Sequence, residues 1–179
     1  MSDTFLPGSG FDTYEQQDKV LVGLCSGTGC KAAVRILQQQ GFAVMGAVVR
    51  LCTDDPVVDA AKEAAKALGI ECITLNASEL ASQLAEETAA PADLRFPALL
   101  AAADRLGIQY IATGHHARVE LGSDGVHAVC PAVDAALDES AALAALPQDT
   151  LARLLLPLGE FTAADVQEMA QDFKVNGTV

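Results

Sequence analysis

A chain of 179 residues with 51% hydrophobic residues is long enough to bury one sizeable core, and its length suits a single domain. Its formal charge of −13, from 24 acidic against 11 basic residues, excludes a broad cationic surface of the kind that grips a nucleic-acid backbone. With aromatic residues at 4% and no Trp, aliphatic side chains and closely packed helices must build the interior.

Residues 1–17 are polar, carry Pro7, Gly8 and Gly10, and read as a flexible N-terminal arm; residues 18–179 read as one α/β domain. Lys19 to Leu24 has the length and aliphatic content of a buried strand. Small residues follow at Ser26, Gly27, Thr28 and Gly29, and then Ala32, Ala33, Ile36 and Leu37 recur at helical spacing. A helix start offers unpaired N–H groups and the positive end of its dipole, so this strand, loop and helix form a candidate phosphate cradle. Gly41 breaks the helix, and Ala43 to Leu51 is a second buried strand. A helix from about Pro56 to Leu68 stops at Gly69, which completes a βαβ unit. Glu71 to Leu75 is a third strand, and Asn76 with Glu79 resembles the cap of a helix covering roughly Ser78 to Thr88. Leu94 to Leu106 is an amphipathic helix ended by Gly107, and Gln109 to Thr113 is a fourth strand opening into Gly114, His115, His116, Ala117 and Arg118. Gly122 to Gly125 has the look of a hairpin turn and Val126 to Val129 of a strand. Ala141 to Leu156 is Ala/Leu-rich and reads as helix with a break at Pro147. Thr162 starts a last helix through Phe173, with Asp165 placed to complement its N-terminus.

Right-handed crossovers make such a sheet parallel and bring the strand ends to one side, where open α/β sheets bind ligands. The loops after the first and fourth strands then face one another across that crevice. The binding candidates are Ser26, Gly27, Thr28, Gly29, Lys31, Gly114 and His115, with His116 and Arg118 alongside. Cys25 and Cys30 flank the first loop, where a helix N-terminus lowers a thiol pKa, and are the candidates for sulfur chemistry; small buried packing residues are the simpler reading. Five cysteines without CxxC spacing and without a leading signal sequence are expected in a reducing cytoplasm. No set of His, Cys and carboxylates has metal-ligand spacing, and Asp134, Asp138 and Glu139 read as a polar loop. No apolar run reaches the ~20 residues that a membrane span needs.

Four segments carry a specific resemblance: KVLVGLCSGTGCKAAVRILQQQGFAVMGAVV, AAKEAAKALGIECITLN, RFPALLAAADRLGIQYIATGHHARVE and LARLLLPLGEFTAADVQEMAQD. In this order they resemble the N-terminal domain of the tRNA-specific 2-thiouridylase family, whose fold is the Rossmann-like HUP (adenine-nucleotide α-hydrolase, or PP-loop) fold with a parallel sheet flanked by helices. The resemblance implies an adenine nucleotide, ATP or AMP, with Mg permitted beside it, and a place in tRNA sulfur transfer. Two departures count against autonomous thiolation. Where the family has Ser-Gly-Gly-x-Asp-Ser, this chain has Cys25, Ser26, Gly27, Thr28, Gly29 and Cys30, so the acidic residue is replaced by Gly29 and Lys31 follows at once. Where the family has an Asn-Pro-Cys stretch with its catalytic cysteine, Glu87 to Leu94 reads ETAAPADL. The sequence also ends at Val179, ahead of the family's second sulfur-carrying cysteine and RNA-contacting domains. The expectation is therefore an adenine-nucleotide-binding, cytoplasmic pseudoenzyme, with a sulfur-relay protein or a basic RNA-binding protein as partner and no strong nucleic-acid binding of its own. A catalytically silent scaffold of the same fold is the alternative. An NAD(P)-binding oxidoreductase is a third reading, since Gly27, Gly29 and Ala32 satisfy GxGxxA, although Arg50 ends the second strand where a ribose-binding acid would stand.

Overall fold

The computed structural model describes residues 18–24, 28–50, 56–77 and 95–176. The arm over residues 1–17 and the helix expected over residues 78–88 lie outside them, as do Cys25, Ser26 and Gly27.

Aliphatic runs of strand length become the centre of a five-stranded sheet. Its strands are β1 (Lys19–Gly23), β2 (Ala43–Arg50), β3 (Cys72–Asn76), β4 (Tyr110–Ala112) and β7 (Leu154–Leu155), in the order β3-β2-β1-β4-β7. Every pairing in it is parallel. The central strand is buried on both faces: Val20, Leu21 and Val22 are all fully enclosed. Because side chains alternate along a strand, Val20 and Val22 pack with Val34 and Leu37 of helix α1 (Thr28–Gln39) and with Val58, Ala61 and Leu68 of helix α2 (Pro56–Leu68). Leu21 turns to the opposite face and meets Phe96, Leu99 and Ala103 of helix α3 (Arg95–Leu106). The result is three layers with helices on both faces, the arrangement a parallel sheet requires. Among the described residues, no helix is long and apolar enough to cross a membrane.

The helix stops follow from local chemistry. Gly69 and Gly107 take φ of +69° and +68°, a left-handed conformation that glycine adopts without penalty. The residue after each glycine donates back into the helix, Ile70 N–H to the Ala65 carbonyl at 3.0 Å and Ile108 N–H to the Ala103 carbonyl at 2.8 Å.

Beyond β4 the chain departs from the expected helix over residues 141–156. Strands β5 (Ala117–Leu121) and β6 (His127–Pro131) form an antiparallel hairpin, and two single-turn helices follow, α4 (Ser140–Leu143) and α5 (Gln148–Leu151), before β7. Pro147 is the physical reason for the break: it sits in extended geometry with ψ of 157°, and its carbonyl accepts from Thr150 and Leu151 to start a fresh turn. Leu143, Leu151 and Leu154 are then buried against the α3 side of the sheet. Tertiary packing overrides the helical propensity of this Ala/Leu-rich stretch. Helix α6 (Ala163–Asn176) completes the chain, its Val166 packing with Ala32, Ala33 and Ile36 of α1. It begins with the expected cap: Thr162 donates its N–H and O–H to Asp165 Oδ2, each at 2.8 Å, and Asp165 N–H donates to Thr162 Oγ1 at 3.2 Å.

Candidate functional site

A cavity of about 380 Å³ opens beyond the carboxyl ends of β1 and β4. These strands are neighbours although the chain runs β1, β2 and β3 to one side before it returns to β4, so the cavity lies where the sheet order reverses. Gly23 and Leu24 end β1 in its wall, and Ala47 and Val49 contribute from β2. Gly29 and Cys30 enter from the start of α1, Arg95, Phe96 and Leu99 from the start of α3, and Thr113 to His116 from the loop after β4. The start of α1 and the loop after β4 thus line one cavity.

Their approach is a backbone-on-backbone contact. A Cβ added to Gly114 would stand 3.0 Å from the Cys30 nitrogen and 3.1 Å from the Gly29 carbonyl carbon, and one added to Gly29 would meet Leu158 Cδ1 at 3.2 Å. Two glycines at this crossing let the loop after β4 close on the helix start without side chains between them. His115 is then fixed on two sides. Thr113 Oγ1 and His115 Nδ1 share a hydrogen bond of 2.7 Å, and the imidazole lies nearly parallel to the Phe96 ring, with centroids 6.0 Å apart and planes at 28°. Burial pulls the His115 pKa below its ordinary value; the Glu139 carboxylate acts in the opposite sense, while Arg95 and His116 push it further down.

His116 is tied to Glu139 by a reciprocal pair of bonds. Its N–H donates to Glu139 Oε2 at 2.8 Å, and Glu139 N–H donates to the His116 carbonyl at 2.8 Å. Glu139 thereby joins the cavity wall opposite in charge to Arg95.

Of the candidate binding residues, the fold brings Gly29, Gly114 and His115 together in this cavity, with Cys30 and His116 beside them. Thr28 begins α1. Lys31 is exposed on α1 and does not line the cavity, and Arg118 turns away to pair with Glu120 at 2.9 Å and to donate to the Pro131 carbonyl. Cys30, at the start of α1, is buried and lines the cavity. Glu139 is not merely part of a polar loop: it is a wall residue. Among the described residues no group of three His, Cys, Asp or Glu is placed to hold a metal ion.

The sequence model of the tRNA methyl transferase HUP domain family matches residues 88–178, just over half of the chain. The chain belongs to this family. Over 187 aligned residues this HUP domain is 33% identical to the tRNA-specific 2-thiouridylase MnmA of Carboxydothermus hydrogenoformans, covering 88% of this chain and 51% of that protein. It is 34% identical over 179 residues to the protein of the same name from Moorella thermoacetica, covering 84% of this chain and 50% of that one. The chain thus spans about half the length of the curated relatives it matches. Among solved structures, the NH3-dependent NAD synthetase of Campylobacter jejuni, in complex with the nitrate ion, aligns with a TM-score of 0.55 at 11% identity, over 92% of this chain and 68% of that one. That likeness is one of fold.

Three wall residues of the HUP domain escape a reading by local pattern. Arg95 and Phe96 fall in a segment that carries the resemblance, yet nothing in their spacing marks them as site residues. Glu139 stands 23 residues from the His116 amide it accepts from, and no local signal connects them.

Proposed function

We propose that this HUP domain binds an adenine nucleotide, AMP or ATP, in the cavity beyond β1 and β4, and that the chain does not thiolate tRNA by itself. The observation that carries the reading is the convergence of Gly29, from the start of α1, with Gly114 and His115, from the loop after β4, on one cavity at the reversal of a parallel sheet. The cavity volume falls in the range of about 300–1,000 Å³ typical of small-molecule sites. A helix start in the cavity wall suits a phosphate, the Phe96 and His115 rings offer a flat apolar and polar wall, and Thr113 holds the imidazole in place. Against autonomous thiolation stand the replacement of the family's loop carboxylate by Gly29 and the lack of its Asn-Pro-Cys stretch. On this reading the domain works in the cytoplasm beside a partner, a sulfur-relay protein or a basic RNA-binding protein.

Calorimetric titration of the purified chain with AMP, ATP and NAD tests the proposal. Binding of AMP or ATP, weakened at least about tenfold in Gly114→Val because a side chain there displaces the loop from the helix start, supports it. No binding of AMP or ATP at millimolar concentration leaves the silent scaffold, and binding of NAD alone leaves the dinucleotide reading.

A further inference from the structure

We infer that Glu139 is a positioning residue of the nucleotide site, its carboxylate holding the loop after β4 in the shape that presents Gly114 and His115 to the ligand; this role rests on the adenine-nucleotide reading of the cavity. The loop runs from Thr113 to His116 between β4 and β5, and all of it lines the cavity. Its restraints differ along its length. Gly114 packs on the start of α1, where an added Cβ would stand 3.0 Å from the Cys30 nitrogen. The His115 ring lies against Phe96 and shares its Nδ1 with Thr113 Oγ1 at 2.7 Å, so Nε2 is the ring nitrogen that a ligand can meet. Both main-chain groups of His116 go to Glu139, the N–H to carboxylate Oε2 and the carbonyl to the Glu139 N–H, each at 2.8 Å.

This exchange of two bonds resembles one rung of an antiparallel ladder, except that a side chain makes half of it. Any residue at position 139 supplies the N–H; only a side chain of the right length with an acceptor supplies the other half. The acceptor itself stands on anchored chain. Asp138 accepts from the Ala132 N–H at 2.9 Å and from the Ser140 N–H at 3.1 Å, and Leu143 at the end of α4 is buried in the core on the α3 side of the sheet. Glu139 thus ties the loop to the body of the domain. The bond to His116 N–H lies at the surface, so water takes that N–H when the carboxylate is removed, and the core stays closed. What is lost is order in the loop. A site whose binding shape is only partly populated loses apparent affinity in proportion to the fraction lost.

Calorimetric titration of AMP at about pH 8 and ~0.15 M salt into the wild-type chain, Glu139→Gln, Glu139→Ala and Glu139→Asp is the test. At this pH His115 is neutral throughout, because burial lowers its pKa and Arg95 and His116 add to that effect against the Glu139 carboxylate. Glutamine keeps the reach and the acceptor without the charge, aspartate keeps the charge without the reach, and alanine keeps neither. Aspartate against wild type and alanine against glutamine are therefore two pairs that differ in the bond to His116 and not in charge. AMP should bind about fivefold more weakly to the first member of each pair, with glutamine rescuing the alanine loss. The aspartate pair carries the test if the alanine variant does not fold. Denaturant midpoints taken alongside keep folding apart from binding: a merely structural contact lowers the midpoints and leaves AMP affinity equal within both pairs, which overturns the inference while the nucleotide reading stands. Affinities that follow charge, with glutamine like alanine and aspartate like wild type, overturn it as well. Failure of the wild type to bind AMP or ATP at millimolar concentration overturns the nucleotide reading and this inference with it.

Discussion

His115 and the glycines around it show how single residues set the properties of the site. Burial lowers the His115 pKa from its ordinary value near 6.5, and in the window just below that value the unfolded chain binds a proton that the folded chain refuses. Stability therefore falls as pH drops through this window and is recovered as pH rises. Denaturant midpoints measured between about pH 7 and about pH 5 should decline in the wild type and flatten in His115→Gln, and an identical slope in both would remove His115 as the cause. Asp138 and Asp165 titrate in a separate window. Their carboxylates are held below the ordinary range by the Ala132 and Thr162 backbone N–H groups, so the stability they bring is present above their unfolded values and lost only below about pH 4. Gly159 is constrained by packing alone. A side chain there would be driven into the Ala117 carbonyl at the start of β5, while the Gly159 carbonyl accepts from Val133 N–H at 2.9 Å. Gly159→Ala should cost about 3 kcal/mol in chemical denaturation, because backbone on both sides must shift. The glycine of LPLGEFT is thus legible in the sequence as part of a motif, but its reason is a contact with a strand 42 positions earlier, which no local pattern can display.

Among the elements, those whose determinants are local were legible and those decided by docking were not. Strand β1, helices α1 and α2 and the stops at Gly69 and Gly107 each follow from side-chain period and glycine chemistry within a few residues. Residues 141–156 follow from something else. Gln148 donates its amide to the His127 carbonyl and accepts from His127 N–H, both at 2.8 Å, so it pairs with β6 as another strand would. That pairing holds α5 against the hairpin, so that beyond the expected break at Pro147 the chain forms only a single helical turn before β7. Arg153 secures the next step: Nε donates to the Gln109 carbonyl at 2.8 Å, Nη2 to the Ile108 carbonyl at 3.0 Å and Nη1 to Asp104 at 2.7 Å. One planar fork thereby joins the end of α3, the entry to β4 and the entry to β7. Arg153→Met should destabilise by about 2 kcal/mol, since two carbonyls lose charged donors, while the ion pair to the largely exposed Asp104 adds little. Arg153→Lys should recover less than half of that loss, because an ammonium keeps the charge but not the fork; full recovery in a thermal melt would assign the effect to charge instead.

On the scale of the whole molecule, charge limits what this domain can do alone. Twenty-four acidic residues face eleven basic ones, and the basic residues are dispersed over both ends of the sheet, four helices and the hairpin. Affinity for an RNA backbone grows with the number of phosphates neutralised at one surface, and it falls steeply with salt. Two of the arginines are already committed, Arg118 to Glu120 and the Pro131 carbonyl, Arg153 to Asp104 and two further carbonyls. The curated relatives carry tRNA in their names and are about twice as long. A filter-binding titration of tRNA at about 0.15 M salt, where the Debye length is ~8 Å, should therefore detect no micromolar complex with the purified chain. Lowering the salt should not rescue it, because the long-range field of a protein at −13 repels a polyanion more strongly as screening weakens. Adding a basic RNA-binding partner should produce a ternary complex whose affinity falls with salt according to that partner's contacts. Micromolar binding by the chain alone, strengthened as salt is lowered, would reveal a cationic surface assembled from these dispersed residues and would return a direct tRNA role to this domain.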